Sequence, residues 1–357
     1  MFDLTRRHFL RAVATAPVLS LLPVGSAATQ TSAPPPTPLR MLLNSGYSSV
    51  NAWFCLAEDR GYLNEAGLQL SFTDGVGAYT AAGRTAAEGF DLGYGDVNAL
   101  VEQAAASNPK APRAVYMMFN RSPSVVAVPA GSPMRAPKDF AGKHFRGHAT
   151  DVALQTFPAL AAKVGLDAAT VRISSNEDGM GAVVQSMLQG ETDGTFGYET
   201  TITAALITAK IPTDRVRFFF YRDLVPELYG SALMASTRLL SEHPALVAGL
   251  VRAVNLGVRD TIADPAAALA ALRRRVPAMV EPAEQARLDL TLAGEMGHAE
   301  GARLGIGAID PQRFAAGMHL LCETKRLAKV PAVVDVFNSN FPVPAAERIT
   351  RLAAPRR

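Results

Sequence analysis

Hydrophobic and polar positions follow two alternating patterns between residues 39 and 220. Short apolar runs of strand length are separated by segments whose apolar residues recur with the helical period of 3.6. The runs predict strands at 39–43, 68–73, 90–95, 113–128, 143–147, 171–174, 194–198 and 215–220. The periodic segments predict helices at 50–62, 78–88, 97–106, 151–164, 179–189 and 200–209. This alternation indicates βαβ units and largely parallel sheets.

The first half of this pattern is repeated in the second. "DRGYLNEAGLQLSF" passes from helix to strand at Gly67, and "AAKVGLDAATVRIS" does so at Gly165, 98 residues later. "AAEGFDLGYG" and "LQGETDGTFG" place Gly89 and Gly190 at the equivalent point of the next unit. Glycine at these points is typical of helices that end in the left-handed conformation. We therefore predict two α/β lobes of similar design.

The chain from Thr237 onward is predicted to be mostly helical. Helix starts are expected at Ser241, at Asp264-Pro265 and at Asp310-Pro311, where a capping side chain precedes a first-turn proline in the latter two cases. The predicted lobe 1 comprises 39–126 plus 231–357, and lobe 2 comprises 127–230. The C-terminal helices are expected to cover the sheet of one lobe.

The N-terminus is typical of an export signal. "TRRHFLR" precedes a 13-residue apolar run and the small residues "GSAA". Residues 1–28 are therefore predicted to be a signal peptide that is removed by cleavage after Ala27 or Ala28. Arg6 and Arg7 match the twin-arginine signal, which predicts export to the periplasm by the twin-arginine translocase. The segment 29–38, rich in Pro, Thr and Ser, is predicted to be an extended linker.

Composition excludes several classes of protein. The chain is 48% hydrophobic and 19% charged, which is typical of a globular protein. Most of its formal charge of +3 comes from the first 28 residues, so no nucleic-acid partner is expected. The protein is also predicted to be a monomer. Cys55 and Cys322 are either two buried thiols or a single bridge.

Catalytic and cofactor motifs are missing from the sequence. There is no Gly-x-Ser-x-Gly elbow, His-Glu-x-x-His, Cys-x-x-Cys or phosphate-binding loop, so no cofactor, metal or catalytic residue is predicted. His144 and His148 are four residues apart, but on a strand this spacing does not form a metal-ligating face.

Several blocks resemble a family of transport proteins. "WFCLAEDRGYLNEAGLQLSFTDG", "EGFDLGYGD", "PKDFAGKHFRG", "GLDAATVRI" and "YGSALMASTRLLSEHPALVAGLVRAV" are similar, in order, to the periplasmic binding proteins for nitrate, taurine, other sulfonates and thiamine pyrimidine precursors. The resemblance covers residues 39 to 330. It implies an α/β, two-lobed periplasmic-binding-protein fold of type II and the solute-binding role in an ABC importer, with a membrane permease as partner.

One member of this family is an enzyme. The resemblance includes a pyrimidine synthase that uses a cysteine-rich run, whereas the corresponding region here reads "GETDGTFGYETT". A non-enzymatic protein is therefore expected. An exported enzyme acting on a similar molecule, or a ligand sensor, remains an alternative.

Candidate ligand contacts follow the carboxyl ends of the predicted strands, where ligands bind in open α/β sheets. They are Tyr47, Ser48, Asn51, Asp74, Gly75, Asp96, Asn120, His148, Thr150, Asn176, Glu177, Tyr198 and Glu199. Helix capping is the alternative role for Asp74, Asp96, Asp178 and the pair Thr150-Asp151. Trp53 and Tyr94 fit either a ligand wall or the core.

The charges of these loops favour one kind of ligand. Five acids, Asp74, Asp96, Glu177, Asp178 and Glu199, accompany only Arg121 and His148, and would repel a small inorganic anion. Aromatic walls with carboxylate acceptors favour a planar heterocycle bearing N–H groups, so an aminopyrimidine-like solute is predicted. An organic sulfonate or aromatic carboxylate is the alternative.

Overall fold

The computed structural model describes residues 35–352, apart from the side chain of Asn176. The predicted signal segment with Arg6 and Arg7, its cleavage site and most of the predicted linker lie outside the described residues.

Ten strands lie in this range, and their positions follow the predicted alternation. They are β1 (Thr37–Leu42), β2 (Leu68–Thr73), β3 (Leu92–Asp96), β4 (Arg113–Met117), β5 (Ser124–Pro129), β6 (His144–His148), β7 (Arg172–Asn176), β8 (Gly194–Tyr198), β9 (Val216–Phe220) and β10 (Ser231–Ala235). The predicted single strand over 113–128 is wrong. The chain leaves β4 at Met117 and begins β5 in a different sheet at Ser124, immediately after Pro123.

Helices fill most of the connections between strands and form the C-terminal third. In the first part of the chain they are α1 (Ala52–Asp59), α2 (Tyr62–Glu65), α3 (Ala81–Ala87), α4 (Val97–Ala105), α5 (Val152–Gln155), α6 (Phe157–Val164), α7 (Met180–Leu188), α8 (Glu199–Thr208) and α9 (Tyr221–Leu224). The C-terminal helices are α10 (Thr237–Glu242), α11 (Pro244–Ala263), α12 (Pro265–Arg275), α13 (Glu281–Leu290), α14 (Ala299–Leu304), α15 (Pro311–Thr324) and α16 (Val333–Val336). A π-helix, Thr291–Glu295, continues α13.

The strands form two mixed five-stranded sheets of the same design. Sheet 1 has the order β2-β1-β3-β10-β4, and sheet 2 has the order β7-β6-β8-β5-β9. In each sheet four strands run in one direction, and the fifth, β10 or β5, is inserted antiparallel to both neighbours. These inserted strands follow the two connections between the sheets, 118–123 and 221–230, so the sequence repeat reflects a repeat of topology.

Local sequence explains several helix boundaries. Asp264 and Asp310 cap α12 and α15 as predicted, each accepting a hydrogen bond from a backbone N–H in the first turn. The predicted helix start at Ser241 is wrong, because that residue lies inside α10, whose cap is Ser236. Gly165 takes the left-handed conformation at the end of α6, with φ of 66°.

The C-terminal helices join the two halves. α11 packs on α1 and contributes Val254 to the core beneath sheet 1. α15 packs against both α4 and α6, and its Phe314 belongs to a core that also contains Phe145 of sheet 2. α13 packs against α8. Within residues 35–352, no helix is both long and apolar enough to cross a membrane.

Candidate functional site

A cavity of about 580 Å³ lies at the carboxyl ends of the parallel strands of both sheets. The loops after β1, β2 and β4 contribute Asn44, Ser45, Gly46, Tyr47, Ser48, Val50, Val76, Gly77, Ala78 and Phe119. The loops after β6, β7 and β8, with the helices they lead into, contribute His148, Thr150, Asp151, Val152, Glu177, Asp178, Gly179, Met180, Val183, Tyr198, Thr200 and Thr201. Glu284, Arg287 and Glu295 complete the lining from the C-terminal helices. The volume suits a small organic molecule.

The cavity brings together six of the predicted contact residues. These are Tyr47, Ser48, His148, Thr150, Glu177 and Tyr198. The His148 ring bonds the Thr150 hydroxyl through Nδ1 at 2.7 Å and Glu177 through Nε2 at 3.1 Å. Asn176 is the last residue of β7 and pairs in register with His148.

Two predicted residues shape the first loop from behind the cavity wall. The Asn51 side chain is buried, accepting a hydrogen bond from the Ser48 N–H at 3.1 Å and donating one to the Gly46 carbonyl. The Gly75 N–H donates to the Ser45 carbonyl at 3.2 Å, and a Cβ on Gly75 would lie 2.0 Å from the Leu43 carbonyl oxygen. Neither residue lines the cavity.

Four other predicted residues lie outside the cavity lining. Asp74 is exposed. Asp96 caps α4 by accepting from the Asn98 N–H at 2.9 Å, so its alternative capping role is the one observed. Burial raises the pKa of Asp96 to about 7. Asn120 and Glu199 are the remaining two, and each is held by an internal contact.

Internal partners hold Asn120 and Glu199. Asn120 Nδ2 donates to Glu300 Oε1 at 3.0 Å, and Glu199 pairs with Arg222 at 2.9 Å. Both members of the Glu199–Arg222 pair are largely buried.

The unique tryptophan belongs to the core. Trp53 is fully buried and makes edge contacts with Phe54, Tyr94 and Phe119. Tyr94 is equally buried, so neither aromatic side chain forms a wall of the cavity. Of the aromatic side chains predicted to line the cleft, only Tyr47 and Tyr198 do so.

The two cysteines are separate buried thiols. Cys55 packs in a small cluster with α12, whereas Cys322 belongs to the core around α15. Burial raises the pKa of the Cys55 thiol to about 12. Residues 35–352 contain no cluster of His, Cys, Asp and Glu able to hold a metal ion, and His144 bonds the Ser174 hydroxyl instead.

Three charged residues of the lining were not predicted. Glu284 and Arg287 lie three positions apart on α13, with Arg287 Nε 3.4 Å from Glu284 Oε1. Glu284 accepts the Ser49 N–H at 2.7 Å, and Arg287 Nη1 donates to the Thr201 hydroxyl at 3.2 Å. α13 thus contacts the cavity loops of both sheets.

Glu295 is the third of these residues and the most deeply buried. It is 2% exposed, and burial followed by the neighbouring Glu199 raises its pKa to about 8. Arg222 and the hydroxyl groups of Thr291 and Thr200 lower the pKa of Glu295. In the sequence it stands alone in the apolar segment "LTLAGEM", and a lone acid at such a position is a signal for a buried functional group.

Acidic side chains dominate the cavity lining. Asp151, Glu177, Asp178, Glu284 and Glu295 accompany one arginine, Arg287, and one histidine, His148. Asp151 caps α5, and burial raises its pKa to about 6. The excess of acids predicted for the cleft is therefore present in the cavity, although three of its members differ from those predicted.

The chain has the fold of the periplasmic binding proteins. The aliphatic sulphonate binding protein SsuA from Escherichia coli superimposes with a TM-score of 0.66 at 15% identity, covering 90% of this chain and 98% of that one. The alkanesulfonate-binding SsuA from Xanthomonas axonopodis pv. citri, bound to MOPS, gives 0.65 at 16% identity, covering 85% and 99%. The desulfurization enzyme DszB also matches, with a TM-score of 0.55 at 14% identity, covering 85% and 97%.

Residues 49–268 match the family described as NMT1/THI5 like, and the chain belongs to that family. No curated protein matches the sequence. The matched range ends inside α12, so Glu284, Arg287 and Glu295 lie beyond it.

Proposed function

We propose that this protein is the extracytoplasmic solute-binding component of an ABC importer. The observation that carries the proposal is a cavity lined by loops of both sheets, each loop following the carboxyl end of a strand. The loops after β1 and β2 occupy positions in sheet 1 that correspond to those after β6 and β7 in sheet 2. A ligand in this position contacts both halves at once, so its binding favours closure of one half onto the other.

The two connections between the sheets are proposed as the hinge. The lobes would be 39–126 plus 231–357 and 127–230, with the exact boundary shifted to the segments 118–123 and 225–230. Bending is proposed there because these segments lie between strands of different sheets, before β5 and β10 begin. The closed form would dock on a membrane permease. Export by the twin-arginine translocase would deliver a monomer to the periplasm, and lysine substitutions at Arg6 and Arg7 should retain the precursor in the cytoplasm.

An organic sulfonate is the first candidate solute. The proteins that superimpose on this chain include sulfonate-binding proteins, and Arg287, which is ion-paired with Glu284 at 3.4 Å, places a guanidinium group in the cavity. α8 begins beside the cavity without a side-chain cap, so its first N–H groups add a favourable site for an anionic group.

An aminopyrimidine-like heterocycle is the second candidate, because Tyr47 and Tyr198 line the cavity among several acidic side chains. The rings supply flat apolar surface, and carboxylates accept hydrogen bonds from ring and amino N–H groups. An enzyme acting on such a molecule is the alternative of another class, since DszB shares the fold. Within residues 35–352 neither cysteine reaches the cavity lining, so a thiol nucleophile is not available there.

Calorimetry on the mature protein tests the proposal. Aliphatic sulfonates, aminopyrimidines, aromatic carboxylates and inorganic anions should be titrated, and at least one organic class should bind near micromolar, about −8 kcal/mol. Bound solute should be recovered unchanged by mass spectrometry. Turnover of the solute would establish the enzyme alternative, and binding of nitrate or sulfate alone would refute the organic ligand.

A further inference from the structure

Glu295 ends the π-helix that follows α13, and π-helical turns are concentrated at functional sites. The residue lines the cavity but is only 2% exposed. Neither carboxyl oxygen makes a hydrogen bond of ordinary length and angle with residues 35–352, although the hydroxyl groups of Thr200 and Thr291 lie close enough to lower the pKa of Glu295. A buried carboxyl group with two hydroxyl neighbours and no well-formed hydrogen bond is costly in either protonation state, so its retention in the wall of a binding cavity calls for a partner supplied from inside that cavity.

The neighbouring groups do not satisfy Glu295. Arg222 Nη1 is already paired with Glu199 at 2.9 Å, and the guanidinium lies over the Phe220 ring. A Cβ on Gly294 would be 3.3 Å from Arg222 Nη1, so the π-helix backbone lies directly against this pair. Two carboxyl groups therefore share one arginine, which leaves one acid in excess.

One hydroxyl group of the cavity lining shares this property. The Tyr198 hydroxyl is buried near Glu295, and it makes no hydrogen bond in the described part of the chain. A tyrosine hydroxyl can accept a hydrogen bond as well as donate one. The wall around Glu295 thus offers the carboxyl group and the Tyr198 hydroxyl as acceptors for a group that carries more than one N–H.

We propose that the solute carries a protonated nitrogen and that Glu295 is the residue that receives it. The inference rests on the proposed function and specifies the solute class: an ammonium group or a protonated heterocyclic nitrogen. The cation would supply the missing donors and stabilise the ionised form of Glu295. A solute that also bears a sulfonate could place that group near Arg287, which precedes Glu295 by roughly 12 Å of helix.

Binding of such a cation involves a defined proton transfer. Burial, with Glu199 as the next contribution, keeps the pKa of Glu295 near 8, so most molecules carry the carboxylic acid at pH 7. Arrival of the cation favours the carboxylate, and the O–H proton of Glu295 passes to the solvent. Titrations of 3-aminopropane-1-sulfonate, which is already an ammonium ion at pH 7, should therefore show release of close to one proton per bound solute in buffers of different ionisation enthalpy. 4-Aminopyrimidine is mostly neutral at pH 7, so it would take up the Glu295 proton itself and release little to the solvent.

Matched pairs of compounds test the proposal on the mature protein. One pair is 3-aminopropane-1-sulfonate and propane-1-sulfonate, and the other is 4-aminopyrimidine and pyrimidine. In at least one pair the protonatable member should bind at least tenfold more tightly. Glu295→Gln should reduce that preference to less than threefold and abolish the proton release, because glutamine keeps the shape and cannot ionise.

Glu88→Gln is the matched control, since Glu88 is an exposed acid at the end of α3 and does not line the cavity. It should keep the wild-type preference, and thermal unfolding should show that both variants are folded. If both members of each pair bind equally, or if Glu295→Gln keeps the preference, the inference is overturned while the solute-binding function stands. If no organic solute of the wider panel binds, both the inference and the proposed function are overturned.

Discussion

Arg313 and Glu300 form an ion pair of 2.8 Å beside both connections between the sheets. Their side chains are 17% and 4% exposed. Arg313 Nε donates to the Pro226 carbonyl at 2.8 Å, and its Nη2 donates to the Asn120 carbonyl. The Tyr229 hydroxyl donates to Glu300, also at 2.8 Å. One ion pair of the C-terminal helices thereby holds one connection through Asn120 and the other through Pro226 and Tyr229.

Arg313→Ala is expected to destabilise the protein strongly. The change leaves the Glu300 carboxylate buried without its cation, and breaking one side of a buried ion pair costs about 3–5 kcal/mol. Urea unfolding followed by circular dichroism would measure the loss. Arg84→Ala removes only a surface pair with Glu88 and should leave the unfolding midpoint nearly unchanged. Equal effects of the two substitutions would contradict the role assigned to Arg313.

The sequence predicts the sheets well because each strand and helix carries its own periodic pattern. It predicts the cavity less well, because a loop at the end of a strand has several ways to use a polar residue. Asp96 caps a helix and Asn51 braces its own loop, whereas Ser48 and Thr150 line the cavity. Local sequence does not separate these roles.

The contribution of α13 and the π-helix depends on tertiary packing. Arg287 and Glu295 reach the cavity because α13 packs against α8, which lies more than 70 residues earlier in the chain. No pattern within the helix itself indicates this partner. The break between β4 and β5 could have been predicted from the sequence, because Pro123 is unsuited to the middle of a sheet.

Stability is expected to fall as pH rises from 5 to 8, because burial raises the pKa values of Asp96, Asp151 and Glu295. Glu295 has the highest of the three values. Its folded-state pKa, near 8, lies above the value near 4.5 expected for the unfolded chain, so the folded state holds the proton more tightly. The resulting stabilisation is complete below pH 4.5 and is lost as pH rises through 8. Glu199 and Arg222 face the same carboxyl and set the extent of the effect.

Glu295→Gln should flatten this part of the pH profile. Between pH 5 and pH 8, urea unfolding should show a loss of stability that is smaller in the variant by more than about 1 kcal/mol. At pH 5 the two proteins should be similarly stable, because glutamine resembles the protonated acid. Parallel profiles for wild type and variant would show that the Glu295 pKa is not raised.

Lys325 connects the two sides of the cleft. Its Nζ donates to the Tyr79 hydroxyl at 2.8 Å and pairs with Glu102 on the sheet 1 side. It also donates to the Gln155 carbonyl at 3.1 Å, at the end of α5 on the sheet 2 side. Lys325→Met removes these bonds and should favour a more open arrangement of the two halves.

Small-angle scattering should detect this change as a larger radius of gyration in the ligand-free Lys325→Met protein. Solute dissociation should be several-fold faster, since closure slows escape from the cleft. Lys329→Met, at an exposed position of the same C-terminal region, is the control and should behave as wild type. An unchanged radius and dissociation rate in Lys325→Met would remove Lys325 from the set of residues that hold the cleft closed.

Gly75→Ala should damage the cavity although residue 75 does not line it. The added Cβ would lie 2.0 Å from the Leu43 carbonyl oxygen and 2.8 Å from that of Asn44, so backbone at the end of β1 must move. Forced backbone shifts of this kind cost about 1–3 kcal/mol, and here they displace the loop that carries Tyr47 and Ser48. Thermal unfolding and solute titration should both show a loss. Gly131→Ala is the control, because a Cβ there meets nothing within 4 Å, and it should change neither the unfolding temperature nor the affinity for the solute. A stable Gly75→Ala protein with wild-type affinity would show that the loop adapts without cost.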